Sequence, residues 1–372
     1  MAASNRALPG VYVSETGGPP PPIQGISTGV PVFLGVASAG AVNQPVRVRS
    51  LRNFAEAFGP PESAPDLGPA VRLFFENGGW DSWVVRVEAA DGPAPWLAAL
   101  AKLDGAAGFD LMLLPGKSDP AVIGAALAAA QQHLALLLID LPGDLTTAAQ
   151  VQQMLRDGRL PRSSWAATYF PWIQVGGPPG RLLPPGGAVA GLFARTDLTR
   201  GVWRAPAGTG AELRGVTGLA TNLFATDLDQ LNGVGVNALR QLPAAGILVW
   251  GARTLEGGTD PEWRYVPVRR LELFLQQSLR RGLAWAVFEP NGAPLWARIQ
   301  SAADAFLYSL WRLGAFPGSK PADACFAKCD ASTTTAADVA AGVVNLLVGF
   351  APLRPAEFVV LRLSLTVAPA GP

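Results

Sequence analysis

An α/β fold that gives way to an α+β C-terminal part is what this sequence predicts. Three observations carry the prediction. Short apolar strands alternate with helical stretches between about residue 30 and residue 200. Two long amphipathic helices follow, over Pro267–Arg281 and Pro294–Leu313. The chain then closes with two runs that alternate like strands, Val343–Ala351 and Phe358–Val367, and a third such run lies near its start at Pro9–Glu15.

Composition bounds the function. A chain of 372 residues can hold one large domain or two ordinary ones. Half of it is hydrophobic, 15% is charged, and the mean hydropathy of +0.25 is high for a soluble monomer. No unbroken apolar run reaches the roughly 20 residues of a membrane span, so direct membrane insertion is not expected. The apolar excess points to extensive burial, within the chain or between subunits. A net charge of +1 argues against nucleic acid as a partner. Two cysteines and one histidine imply a reducing compartment and few options for catalysis. The N-terminus lacks the charged-then-apolar signal pattern, so a cytoplasmic location is expected.

In order, Pro9–Glu15 sets Val11 and Val13 on one strand face and Tyr12 on the other. Gly17–Gly18 and Pro19, Pro20, Pro21 and Pro22 then form a hinge and a stiff spacer. Such a tethered strand is either an edge strand of its own domain or an arm inserted into a neighbour's sheet. Val30–Val36 predicts a strand buried on both faces, Val46–Val48 a short one, and Ser50 a cap for a helix ending at Phe58. A helix over Asp66–Asn77 and a strand over Ser82–Glu88 follow, and Asp91–Pro95 is a candidate boundary. Helices at Trp96–Leu103, Pro120–His133 and Ala148–Asp157 alternate with strands at Phe109–Leu114 and Leu134–Leu141, and Trp165–Tyr169 leads toward a strand-like Trp172–Val175, the pattern of a parallel sheet covered by helices. Helices at Pro184–Thr196 and Asp227–Asn232 and strands at Ile247–Trp250 and Leu283–Phe288 complete the body. Thr334 or Thr335 caps a turn at Ala336–Ala341. In the last run Val359, Leu361, Leu363 and Leu365 share a face, after a link stiffened by Pro352 and Pro355. A strand so placed is either a sheet's last strand or one lent to another chain.

Candidate chemistry is sparse. Leu111–Ser118 (LMLLPGKS) puts Gly-Lys-Ser after a strand, but Leu111 stands where a phosphate-binding loop needs its first glycine. His133 ends a helix, and no Gly-flanked serine signature accompanies it. Cys325 and Cys329 form a single pair where zinc needs four ligands. Catalytic, cofactor and metal residues are accordingly expected to be absent. An α/β hydrolase or nucleotide-binding enzyme using the middle of the chain is the alternative. Arg269, Arg270, Arg280 and Arg281 crowd one helix, and Arg298, Asp304 and Arg312 lie outward on the next. They are either a solvated face or a surface for an oppositely charged partner.

PGVYVSE near the start, GVNALRQLPAAGILVWGARTL, EWRYVPVRRLELFLQQSLRRGLAWAVFEPN, PLWARIQ, CDASTTTAADVAAGVVNLLVGFAP and VGFAPLRPAEFVVLRL occur in this order along the chain. Together they resemble contractile phage-tail sheath proteins, most of all the short sheaths of contractile bacteriocins and extracellular contractile injection systems. The resemblance is weakest over residues 89–200. It implies an N-terminal arm and linker at 1–22, an α/β segment at 23–90 packing with the C-terminal domain, and a subtilisin-like, non-catalytic middle domain at 91–200. A C-terminal sheath core at 201–357 and a strand arm at 358–372 complete the expectation. It further implies a helical homo-oligomer around an inner tube, joined through arm strands and ending on baseplate and cap proteins. The C-terminal domain would touch the tube, and contraction would need no cofactor.

Overall fold

The computed structural model describes residues 21–176, 180–243, 245–256 and 260–355. Both arm strands expected from the sequence, with Val11, Tyr12, Val13, Pro19, Pro20, Val359, Leu361, Leu363 and Leu365, lie outside the described residues.

Alternating apolar residues build the centre. β1 (Pro31–Val36), β2 (Pro45–Val48), α1 (Leu51–Phe58), α2 (Leu67–Glu76) and β3 (Ser82–Val87) come first. The Ser50 side chain accepts a hydrogen bond from the Asn53 amide and so caps α1, as its position predicts. Next are α3 (Ala94–Leu100), β4 (Leu111–Leu113), α4 (Pro120–Gln132), β5 (Leu136–Asp140), α5 (Ala148–Arg156) and β6 (Ala166–Phe170). A small antiparallel sheet is formed by β7 (Ile173–Val175), β8 (Arg181–Leu183) and, beyond α6 (Gly186–Arg200), β9 (Gly218–Leu219). α7 (Ala225–Gly233), β10 (Asn237–Leu242) and β11 (Gly246–Val249) return the chain to the main sheet. The main sheet has eight strands in the order β11-β10-β6-β5-β4-β1-β3-β2. All of its internal pairs are parallel, and only the two outermost pairs are antiparallel.

Period-two alternation sorts side chains to two cores. Phe33, Leu111, Leu113, Leu136 and Leu138 pack on one face with α2 and α6. Val32, Leu34, Met112, Leu137 and Ile139 pack on the other with α3, α4 and α5. The α2–α6 contact is close because α6 opens Gly-Gly. A Cβ on Gly187 would stand 2.3 Å from the Ala70 carbonyl oxygen, and one on Gly191 2.3 Å from that of Phe74.

The sheet runs across both boundaries expected from the sequence. β1 lies between β3 and β4, so residues 23–90 share the sheet with residues 91–200, and β10 and β11 extend the same sheet past residue 201.

A third core belongs to the helical C-terminal layer: α8 (Val266–Gly282), α9 (Ala293–Arg312), α10 (Pro321–Ala324), β12 (Cys325–Lys328), α11 (Ala336–Ala340) and β13 (Leu347–Phe350). Leu271, Leu275 and Leu279 of α8 meet Ala303, Phe306 and Leu310 of α9 there, with Ile23. The strand expected over Leu283–Phe288 is instead a 3-10 turn at Ala284–Ala286. Its amides close back on the end of α8, Ala286 N–H onto the Leu283 carbonyl, so no strand partner is needed. No described helix is long and apolar enough to cross a membrane.

Candidate assembly interface

The C-terminal ribbon is a two-stranded sheet set apart from the main sheet. β12 and β13 pair antiparallel, Phe326 opposite Gly349 and Lys328 opposite Leu347, and the Ala351 amide continues the ladder onto the Ala324 carbonyl at 2.8 Å. Two strands of four residues are marginal by themselves. The inner face is anchored by Ala327, Val348 and Phe350, packed on the third core. On the outer face the Phe326 ring lies across Gly349, where a Cβ would come within 2.2 Å of it, and Phe326 and Leu347 remain 51% and 53% exposed.

The two edges differ. The Ala327 and Cys329 amides point away from β13 and donate to α9: Ala327 to Asp304 Oδ1 at 3.2 Å, Cys329 to Gln300 Oε1 at 3.0 Å. Side chains of the long helix therefore close the β12 edge. Backbone polarity alternates along an antiparallel ladder, so the bonds of Ala351, Gly349 and Leu347 face β12 and those of Val348 and Phe350 face outward. No strand pairs with that edge among the described residues. It is an open edge with apolar side chains beside it, which is how a donated strand is received.

Local sequence explains how the ribbon is held. Asp330 accepts from the Ser332 amide at 2.7 Å and turns the chain out of β12. Thr335 caps α11 reciprocally with Asp338, and Thr334 accepts from the Asn345 amide at 3.0 Å, which steers the chain into β13. The sequence period predicts a strand over Val343–Ala351. The ladder holds only Leu347–Phe350 of it. β12 was missed, because Cys-Phe-Ala-Lys is too short to show a period.

The basic cluster divides. Arg270 does not face a partner: it is 3% exposed, and its Nη2 lies 2.6 Å from both Asp110 and Asp197. Burial works against its charge, but the two carboxylates outweigh it and raise the guanidinium above its ordinary value. Asp110 also accepts from the Gly29 and Val30 amides, so this ion cluster ties α8 to α6 and to the start of β1 and β4. Arg269 is buried as well, stacked between Trp165 and Trp263 at 4.9 and 3.9 Å and paired with Glu272 at 3.1 Å. Both are corrections to the expected charged surface. The helix face that carries them is the one laid on the sheet. Arg298 is half-buried over Trp285 and paired with Glu289. Asp304 is engaged with β12, while Arg280, Arg281 and Arg312 stand at the surface. Pro21 and Pro22 are exposed, whereas Pro352 and Pro355 are half-buried along the body.

The remaining candidates are filled from within. At Leu111–Ser118 the Gly116 amide donates to Asp140 Oδ2 at 3.2 Å, and the first amide of α6, Gly186, donates to Asp140 Oδ1 at 2.9 Å. The carboxylate thus occupies the place where a phosphate would need those amides. Lys117 turns away over Trp96 at 5.2 Å. Burial pushes the Asp140 carboxyl up to about 7, against the two amides, and nearby Asp66 adds to the rise. His133 packs on Phe109 and lies 3.7 Å from exposed Asp104; burial lowers its imidazole. The depression around it is lined by Gln132, Gln277, Arg280 and Arg281, with no serine. Cys325 and Cys329 are free thiols, raised by burial.

Two family models match this chain: the phage tail sheath protein central domain over residues 89–255 and the phage tail sheath C-terminal domain over residues 258–366. The helical sheath of the anti-feeding prophage in its contracted state is 32% identical over 96% of this chain and 99% of that one, with a TM-score of 0.81. The chain belongs to the phage tail sheath family. The sheath complex of the extracellular contractile injection system PVC, also contracted, is 28% identical, with a TM-score of 0.82 over 98% of this chain and 99% of that one. The tail sheath protein of Vibrio phage KVP40 is 30% identical over 135 residues, 36% of this chain. The match spans only a fifth of that phage protein. The family is one of structural proteins, not enzymes. Its two models meet between residues 255 and 258, where the main sheet ends and the helical layer begins.

Proposed function

We propose that this chain is the sheath subunit of a contractile tail-like injection particle, polymerising helically around an inner tube and contracting to drive it forward. The open β13 edge carries the proposal. The terminal segments bearing Val11, Tyr12 and Val13 and Val359, Leu361, Leu363 and Leu365 would supply strands to such edges on neighbouring copies. Each donated strand of four or five hydrogen bonds, at about 0.5–1.5 kcal/mol net apiece, holds reversibly enough to act as a hinge. An edge on one copy meeting an arm on another is a heterologous contact, and contacts of that kind build open helical assemblies. Pro19–Pro22 serve as spacer, and Pro352 and Pro355 guide the second arm along the body. Arg280, Arg281 and Arg312 are the candidates left to meet the tube. Baseplate and terminal cap proteins would bind the ends of the helix. The work of contraction comes from packing differences between two lattices, without nucleotide or metal.

Negative-stain electron microscopy of the purified full-length chain tests this. Hollow, helically striated tubes are expected. Dispersed particles at every concentration and salt condition, with or without tube and baseplate proteins, would overturn it.

A further inference from the structure

The described chain ends on the rim of a groove. The groove encloses about 450 Å³ between α7 and the β10–β11 end of the main sheet, and Pro355 is one of its walls. Leu228, Asp229 and Asn232 of α7 and Val236, Ala238 and Trp250 are among its other lining residues. Val236 and Ala238 are buried at its floor, while Trp250 keeps 39% of its surface at the mouth. The chain is held all the way to this point. Ala351 is bonded to Ala324, and Pro352, Leu353 and Pro355 are half-buried.

We infer that Phe358 of the same chain seats in this groove and fixes the place where the C-terminal arm leaves the body. Phe358 is the first large apolar side chain after the rim, with only Ala356 and Glu357 between. Three residues of extended chain reach about 10 Å, enough to enter a groove whose wall Pro355 already forms. The floor is aliphatic and the mouth aromatic, which suits a phenyl ring better than a charged or small side chain. Register gives the second argument. Phe358 has the opposite parity to Val359, Leu361, Leu363 and Leu365, so a strand that packs those four on a neighbour's core leaves Phe358 on the other face, outside that core. The destination of the arm rests on the sheath reading; the groove contact does not.

The test uses the full chain with Cys325→Ser and Cys329→Ser, carrying Asp229→Cys and Glu357→Cys. It is kept dilute enough to be monomeric by light scattering and oxidised with diamide. A disulfide within the chain, identified by mass spectrometry in most molecules, is the expected result. Adding Phe358→Ala should lower its yield at least fivefold, and Phe358→Trp should restore it. An equal yield with Phe358→Ala, bonds formed only between chains, or no bond at all would overturn the inference. Should the serine background fail to fold, amide hydrogen exchange compares the unmodified chain with Phe358→Ala alone. At least fivefold faster exchange in Ala225–Gly233 supports the contact, and unchanged exchange refutes it. Tube formation is scored separately by microscopy, so loss of the sheath reading and loss of this contact are distinguishable.

Discussion

Asp140 shows what a single buried carboxyl does in this molecule. Its carboxyl oxygens accept from the amides of Gly116 and Gly186, so the strand-to-helix turns at the top of β4 and before α6 are closed by the protein's own side chain. The folded protein holds the Asp140 proton more tightly than the unfolded chain does, at about 7 against 3.8. The stabilising effect of that proton is therefore complete below about pH 4 and is lost as pH rises toward 7. Its size is on the order of 4 kcal/mol. Urea denaturation between pH 4 and 8 should show this loss, and Asp140→Asn should flatten that part of the profile. A profile unchanged by Asp140→Asn would place the titration elsewhere.

At the scale of elements, two contacts decide how the layers meet. Arg270 ties α8 to α6 and to the sheet through Asp197 and Asp110. Arg270→Met leaves two carboxylates facing each other in a dry site and should cost about 3–5 kcal/mol. Removing their charge in the triple variant Arg270→Met, Asp110→Asn, Asp197→Asn should recover part of that loss in a thermal melt. The α2–α6 crossing depends on Gly191, because a methyl there would strike the Phe74 carbonyl. Gly191→Ala should destabilise by about 1–3 kcal/mol through overpacking, measured by chemical denaturation. An unchanged midpoint would mean that the helices separate without cost.

For the whole molecule, the predictions concern assembly rather than folding. Deleting Met1–Pro22 should leave the three cores intact and abolish ordered tubes, since the described members of those cores all lie at Ile23 or beyond. Normal tubes from the truncated chain would remove the N-terminal arm from the mechanism. Val348→Pro takes away an outward amide of the β13 edge. It should block tube formation while the far-ultraviolet circular dichroism stays that of the parent chain. If Val348→Pro tubes match those of the parent in electron micrographs, the receiving edge lies elsewhere.

The sequence by itself determined the alternation of strands and helices, because apolar periods of 2 and 3.6 are local properties. Val30–Val36 as a strand, Ser50 as a cap, the two long helices and a threonine cap for α11, at Thr334 or Thr335, were legible for that reason. The ordered motifs behind the family resemblance were legible as well. Only the tertiary structure decided which charges are surface. Arg269 and Arg270 occupy helical positions that look solvated, and their burial depends on carboxylates and indoles up to 160 residues away. It also decided the strand order that joins residues 30–250 in one sheet, the pairing of Cys325–Lys328 with Leu347–Phe350, and the closure of one ribbon edge by Asp304 and Gln300. Register, edge exposure and ion-pair partners are set by what lies opposite in space, and no local period encodes that.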